Sequence, residues 1–178
     1  MENSKKTKLI ILTASLFALI AVFFMFGGKL PSFSLQSGIR KTDSTQMPEA
    51  TGGTDEIGKN VTIEQTFLCT ADSISQIGIV FYKTEQIENV SIVIELLDNG
   101  KSLIQYIGSA EDIESEHRTF LIAEEPLTGL KNRNLTLKFY SLENQDTGVG
   151  LMVSEKTDGS YRINGNSRKG SICFAVEE

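Results

Sequence analysis

Residues 89–107 read NVSIVIELLDNGKSLIQYI, and this stretch decides the fold. Its first half alternates apolar and polar residues with a period of two, which is the pattern of a half-buried β-strand. The sequence Asp98-Asn99-Gly100-Lys101 follows, and an Asn-Gly pair tolerates the positive φ angles that a two-residue hairpin turn requires. The stretch therefore predicts two antiparallel strands joined at Asn99-Gly100.

Counting outward from this turn predicts the register of the hairpin. The pairs on the core face are Leu96 with Leu103, Ile94 with Gln105 and Ile92 with Ile107, and those on the outer face are Val93 with Tyr106 and Glu95 with Ile104. The outer face then carries a group of apolar side chains, which are Val93, Leu97, Ile104 and Tyr106. Exposed apolar clusters often mark contact sites, so we predict a ligand-binding surface at these four residues. The alternative is that a neighbouring strand or loop covers them.

Similar alternating segments occur on both sides of the hairpin. Short runs rich in Val, Ile, Leu, Phe and Tyr alternate with polar residues and are separated by turn signals. The predicted strands are 64–70, 75–84, 89–97, 118–123, 134–141, 148–154, 160–163 and 171–177. The side chains expected in the core are Ile77, Ile79, Phe81, Ile92, Ile94, Leu96, Leu137, Phe139, Leu151, Ile172, Phe174 and Val176. No segment after residue 63 keeps a helical period, so the sequence predicts an antiparallel sandwich or barrel.

The order of these pieces resembles a known group of domains. The segments that carry the resemblance are Gln65-Thr66-Phe67, Ile77-Gly78-Ile79, Lys83-Thr84, Asp98-Asn99-Gly100, the strand 135–140, Gly148-Val149-Gly150-Leu151 and the final strand 170–176. Together they resemble the galactose-binding-like jelly-roll domains in extracytoplasmic parts of bacterial membrane proteins, including proteins tied to cell-surface glycan assembly. The resemblance implies an all-β, antiparallel jelly-roll β-sandwich whose first and last strands are adjacent. It implies no ligand and no site residue, because fold likeness alone does not carry function.

An apolar segment precedes the domain. Leu9–Phe26 (LIILTASLFALIAVFFMF) has eighteen residues without a charge, and Gly27 and Gly28 extend the uncharged run to twenty. At ~1.5 Å per residue this length spans the ~30 Å hydrocarbon core of a bilayer. A water-soluble helix of this length would show a polar stripe, and this one shows none. We therefore predict one N-terminal transmembrane helix, which binds the protein to the membrane.

The charges around this segment predict its orientation. Lys5, Lys6 and Lys8 precede it, which favours a cytoplasmic N-terminus in the cell membrane. A cleaved signal peptide is the alternative, although its apolar region would be shorter and would end in small residues. The predicted organisation is a cytoplasmic tip and anchor over 1–28, a flexible stalk over 29–62 and an extracytoplasmic β-sandwich over 63–178. An ordered extra strand within the stalk is the alternative for that segment.

Composition excludes several classes of function. Residues 63–178 hold eighteen acidic and ten basic side chains, a net charge of −8, which argues against nucleic acid as a partner. The whole chain has one His and two Cys, too few for a Cys/His zinc cluster. We predict no cofactor and no metal, although a Ca²⁺ ion held by Asp112, Glu114 or backbone carbonyls is an alternative.

The residues that could carry chemistry give no catalytic set. His117 follows the acidic run 111–116 without a nucleophile or a Gly-x-Ser-x-Gly motif, so we predict a solvated loop and no enzyme. Cys69 and Cys173 lie on the first and last strands, where a disulfide is conceivable in an exported protein. The alternation of the two strands places the thiols on different faces, which favours unpaired cysteines.

The sequence thus favours a non-catalytic binding or scaffolding module that recognises an envelope glycan or a membrane-protein partner. The alternative is a purely structural subunit of a membrane assembly. For a sugar, the side chains offered as stacking platforms are Tyr82, Tyr106, Tyr140 and Tyr161, with Gln105 and Arg118 as polar partners. For each tyrosine, a half-buried position on a strand is favoured over a sugar contact.

Overall fold

The computed structural model describes residues 33–37, 47–84, 89–143 and 145–178, with the side chains of 33–37, Phe120 and Glu124 excluded. All of these residues belong to a compact unit that spans Pro31–Glu178. The predicted anchor Leu9–Phe26 lies outside the described residues. Within the described ranges, no helix has the length and hydropathy that a membrane crossing requires.

The described residues are almost entirely in strands and turns. A single turn of 3₁₀ helix spans Ala110–Asp112. The strands are β1 (Phe33–Ser37), β2 (Gly52–Gly53), β3 (Ile63–Leu68), β4 (Ser73–Lys83), β5 (Ser91–Asp98), β6 (Lys101–Ser109), β7 (Arg118–Thr128), β8 (Asn134–Ser141), β9 (Val149–Ser154), β10 (Ser160–Ile163), β11 (Asn166–Lys169), β12 (Ser171–Ile172) and β13 (Phe174–Glu177). The eight strands predicted above and the second strand of the predicted hairpin are all present, with ends that move by up to five residues. The predicted strand 171–177 is divided into β12 and β13.

The strands form two antiparallel sheets, so the predicted all-β sandwich is confirmed. One sheet has the order β1-β7-β4-β9-β12, with β13 paired to β4 and β2 paired to β9. The other has the order β11-β10-β3-β8-β5-β6. The rings of Phe81 on β4 and Phe139 on β8 meet edge to face between the sheets, with centroids 6.3 Å apart. The core therefore lies between the sheets, where alternate residues of each strand point inward.

The predicted core is confirmed with two adjustments. The expected residues that are buried are Ile77, Ile79, Phe81, Ile92, Ile94, Leu96, Leu137, Phe139, Leu151 and Ile172. Phe174 and Val176 are only partly buried and pack against this core from its edge. The ring of Phe174 contacts the ring of Phe67, with centroids 4.9 Å apart.

The hairpin between β5 and β6 begins as predicted and then departs from the prediction. Asn99 and Gly100 have φ angles of 49° and 78°, as the predicted turn requires. Beyond the turn a β-bulge shifts the register between Leu96 and Leu97, so that Leu96 lies opposite Ile104. The predicted pairing of Leu96 with Leu103, and every pairing beyond it, is therefore wrong by one residue. A bulge places one extra residue on one strand and thereby moves all later side chains of that strand to the other face.

Part of the segment assigned to the flexible stalk lies on the sandwich. Residues 51–57, which we call the strap, run along the outer edge of β9. The backbone N–H groups of Thr51, Thr54 and Ile57 donate to carbonyl oxygens of β9 at 2.8, 2.9 and 2.7 Å. Ile57 is fully buried in the core. The strap thus contains an ordered extra strand, β2, because β9 would otherwise leave its edge unpaired and a core position empty. β1 also lies within the predicted stalk, and it pairs antiparallel with β7.

The last strand changes partner in its middle, at Cys173. The Cys173 N–H donates to the Met152 carbonyl on β9 at 2.8 Å, and the Cys173 carbonyl accepts from Val80 N–H on β4 at 3.0 Å. β12 therefore pairs with β9 and β13 with β4. The predicted first strand, β3, lies in the other sheet and contacts β13 through side chains.

Cys69 and Cys173 are both buried and free, which confirms the favoured interpretation of unpaired thiols.

Candidate functional site

The structure does not bring the four predicted site residues onto one face. Val93 and Leu97 alternate with core residues of β5 on the outer face of the six-stranded sheet, where Val93 is fully buried and Leu97 is partly exposed. Ile104 lies opposite Leu96 and is buried in the core. Tyr106 lies opposite Ile94 and packs against the core, with its ring over Gly108. The bulge in the hairpin is the reason, because it moves Ile104 and Tyr106 from the predicted outer face to the core face.

Three of the four tyrosines are committed to the packing of the domain. The Tyr82 hydroxyl donates to the Thr54 carbonyl in the strap at 2.5 Å. Tyr106 packs as described above, and Tyr161 is buried between the sheets. Tyr140 differs, because it lies opposite Val93 on the outer face of the six-stranded sheet and is half-exposed.

A row of polar side chains crosses the outer face of this sheet beside Tyr140. The register places in line one residue from each of five neighbouring strands, in the order Arg162, Glu64, Lys138, Glu95 and Gln105. The Lys138 ammonium lies 3.9 Å from a Glu95 carboxylate oxygen. Opposite charges on directly paired residues stabilise a sheet, and the row carries two charges of each sign. Its net charge is therefore zero on a domain that is acidic as a whole.

The Tyr140 ring is held in place by three members of this row. The Gln105 amide donates to the Tyr140 hydroxyl oxygen at 3.2 Å and to the Glu95 carboxylate at 3.1 Å. The Lys138 ammonium lies 5.1 Å from the Tyr140 ring centroid, within the range of a cation–π contact. Burial and the nearby Glu95 carboxylate raise the pKa of the Tyr140 hydroxyl, which therefore stays protonated at neutral pH.

Tyr140 also forms one wall of an open pocket of about 290 Å³ at the end of the sandwich. The other residues that line it are Gly58, Asn60, Val61, Thr62, Ser141, Leu142 and Glu143. Asn164 fixes the wall at Thr62, because its side-chain oxygen accepts from Thr62 N–H at 2.8 Å and its own N–H donates to the Thr62 carbonyl at 2.9 Å. Leu142 is 61% exposed at the rim.

The carboxylate in this pocket is held by neighbouring donors. Glu143 accepts from the Ser91 N–H and from the Ser141 hydroxyl, each at 3.0 Å. The hydrogen bond from the Ser91 backbone is the main cause that lowers the pKa of Glu143, so this group remains ionised. The pocket thus offers an aromatic wall, an exposed leucine and fixed oxygen acceptors. We call Tyr140, Glu95, Gln105, Lys138 and this pocket the Tyr140 surface.

No family model matches this chain, and no curated protein matches it.

The acidic loop that follows β6 is bound by a lysine of β4. Among the described residues, no three His, Cys, Asp or Glu side chains converge as a metal site requires. The Lys83 ammonium instead donates to the carbonyls of Ala110, Glu111 and Ile113 at 3.0, 3.3 and 3.4 Å. His117 is exposed, and its Nδ1 lies 2.9 Å from the Ser115 carbonyl. The loop carbonyls are thus bound by a lysine of the same chain.

Sequence reasoning found part of the Tyr140 surface and missed part of it. Tyr140 and Gln105 were both named as possible sugar contacts, whereas Glu95 and Lys138 were not. The alternation within β8 already places Lys138 and Tyr140 on one face, which is a local signal. Arg118, the other predicted polar partner, lies on the opposite sheet, 3.8 Å from Glu177.

Proposed function

We propose that this protein is a membrane-anchored binding module that recognises a glycan of the cell envelope through the Tyr140 surface. In this proposal Leu9–Phe26 crosses the membrane, the N-terminus is cytoplasmic, and a jelly-roll sandwich is displayed outside the cell. The apolar anchor, the two antiparallel sheets and the resemblance described above support it. The module performs no catalysis.

The observation that carries this proposal is the arrangement of polar groups around the Tyr140 ring. A sugar presents a C–H face that stacks on an aromatic ring, and hydroxyl groups that both donate and accept hydrogen bonds. The Gln105 amide can donate and accept, the Glu95 carboxylate accepts, and the Lys138 ammonium donates. A small number of fixed polar groups around an apolar platform is the usual composition of a ligand site. The zero net charge of the row fits a ligand without strong charge.

Glycan binding to the full-length protein in mild detergent tests this proposal. We expect saturable binding on a glycan array, and we expect Tyr140→Ala to weaken the affinity about tenfold or more, as removal of an aromatic anchor does. Leu68→Ala is the matched control, because Leu68 is 57% exposed on the same sheet but distant from the Tyr140 surface along β8. Leu68→Ala should leave the affinity unchanged.

Two results would contradict the proposal. One is the absence of saturable binding to any envelope glycan, combined with stable co-purification of a membrane protein, which would favour the structural-subunit alternative. The other is binding that Tyr140→Ala leaves intact, which would move the site to another surface.

A further inference from the structure

The two edges of the six-stranded sheet differ in length and charge. β11 forms one edge, has four residues and carries Arg168 and Lys169. β6 forms the other edge, has nine residues and carries a single charge, Lys101 at its start. Short length and charged side chains are the usual protections of an exposed edge, since they discourage pairing with another strand. β11 has both protections.

β6 lacks these protections over most of its length. The bulge at Leu103 disrupts only the first part of the strand, and residues 104–109 (IQYIGS) contain neither a charge nor a proline. In the described part of the chain, β5 is the strand that pairs with β6, and none lies on its other side. Ile107 is 52% exposed on the outer face of this edge. A long, neutral edge with an exposed isoleucine is a template for an added strand.

The charges at the two ends of β6 indicate that the added strand is a second copy of β6. Lys101 begins β6, and Glu111 and Asp112 lie in the 3₁₀ turn that follows its end. Nine residues in a strand span ~30 Å, so these opposite charges are far apart within one protomer. An antiparallel copy of the same strand would bring each basic end beside an acidic end. We propose that β6 is the interface of a two-fold symmetric dimer, in which β6 of one protomer pairs antiparallel with β6 of its partner.

Symmetry restricts the register of this dimer. Residues that lie opposite each other point to the same face, so the two residue numbers of each pair have an even sum. The two-fold axis therefore passes between two copies of the same residue. When the two copies of Tyr106 lie opposite each other, every pair within the regular segment 104–108 sums to 212. Gln105 then lies opposite Ile107 of the partner subunit. Lys101, which lies before the bulge at Leu103, comes near the 3₁₀ turn that carries Glu111 of the partner subunit. The six-stranded sheets of the two protomers then form one continuous sheet, and both Tyr140 surfaces lie on the same side of it.

Sedimentation velocity of the full-length protein in mild detergent tests the dimer. We expect a dimer for the wild type and a monomer for Ile107→Lys, which places a charge on the neutral edge. Leu68→Lys is the matched control and should remain dimeric, because Leu68 is as exposed as Ile107 but lies on β3. Circular dichroism of each variant checks that the sandwich is intact.

A charge exchange tests the antiparallel arrangement itself. Lys101→Glu and Glu111→Lys should each weaken dimerisation about tenfold, because each creates two like-charge contacts per dimer. The double variant should restore the wild-type affinity, since opposite charges face each other again. A wild-type monomer, a dimer that Ile107→Lys does not affect, or a double variant as weak as the single ones would overturn the proposal. If only the anchor helix holds the dimer, Ile107→Lys will leave the dimer unaffected.

Discussion

The position of the Tyr82 side chain requires glycine at two neighbouring positions. Its ring covers Gly150 on β9 and Gly53 in β2, and its hydroxyl is bonded to the strap. A Cβ atom on Gly53 would lie 2.7 Å from the ring, and one on Gly150 would be closer still. The hydrogen bond to Thr54 anchors the Tyr82 ring. The ring could move away from a new Cβ atom only if this hydrogen bond broke. Both positions therefore require glycine for steric reasons.

Gly150→Ala should destabilise residues 31–178 by about 1–3 kcal/mol, the usual effect of overpacking. Urea unfolding of this fragment measures the change. Gly52→Ala is the matched control and should be nearly neutral, because the nearest atom to its Cβ would be Val153 Cγ2 at 3.8 Å. In a Tyr82→Ala background the Gly150→Ala change should cost much less, and an equal cost there would contradict the steric explanation.

The Cys173 thiol gives a prediction about pH. Burial raises its pKa from the ordinary value of 9.0 to about 11. Between these values the unfolded chain loses the thiol proton and the folded chain keeps it, so the unfolded state is favoured as pH rises. The free energy of unfolding should therefore fall from pH 9 to pH 11 more steeply in the wild type than in Cys173→Ala. Parallel curves for the two proteins would show that the thiol is not buried.

At the scale of elements, the strap shows that the domain begins before β3. Its backbone pairs with β9, and side-chain contacts attach the chain just before the strap and near the end of the strap. Lys156 forms an ion pair with Glu49 at 2.7 Å, and the Thr84 hydroxyl donates to Glu56 at 2.5 Å. Ile57 closes the core at the end of the strap. A chain that begins at residue 63 would leave the β9 edge unpaired and a cavity in the core.

Ile57→Ala should lower the free energy of unfolding by about 2–5 kcal/mol, as expected for a fully buried aliphatic side chain. Lys59→Ala, two residues away at an exposed position, should have almost no effect. Thermal and urea unfolding of residues 31–178 would measure both changes. Equal stability of the two variants would mean that the strap is detached in solution, as the stalk prediction requires.

At the scale of the whole molecule, the predicted orientation has consequences for protease digestion. If the N-terminus is cytoplasmic, protease added outside intact cells should release the sandwich from the membrane. Residues 51–57 should stay with the released fragment, because their backbone is paired along β9 and resists cleavage. Mass spectrometry of the fragment identifies its N-terminus. Complete protection of the sandwich in intact cells would reverse the predicted orientation.

The sequence by itself determined most of the strands, the hairpin turn and most of the core. These features depend on residues that are close in the chain. Alternation assigns the two faces of a strand, and the Asn99-Gly100 pair fixes the turn through the φ angles that it tolerates. The inward positions of Ile92, Ile94, Leu96, Leu137 and Phe139 followed from alternation alone.

Only the tertiary structure decided the register beyond the bulge, the place of the strap and the composition of the Tyr140 surface. A bulge depends on how Leu103 and Ile104 pack against the other strands, so the hairpin sequence does not reveal it. The strap is held mainly by backbone hydrogen bonds, which leave no apolar period in its sequence. Glu95, Gln105, Lys138 and Tyr140 come from three strands. They meet because β5 lies between β6 and β8, and this order is set by packing across the whole sheet.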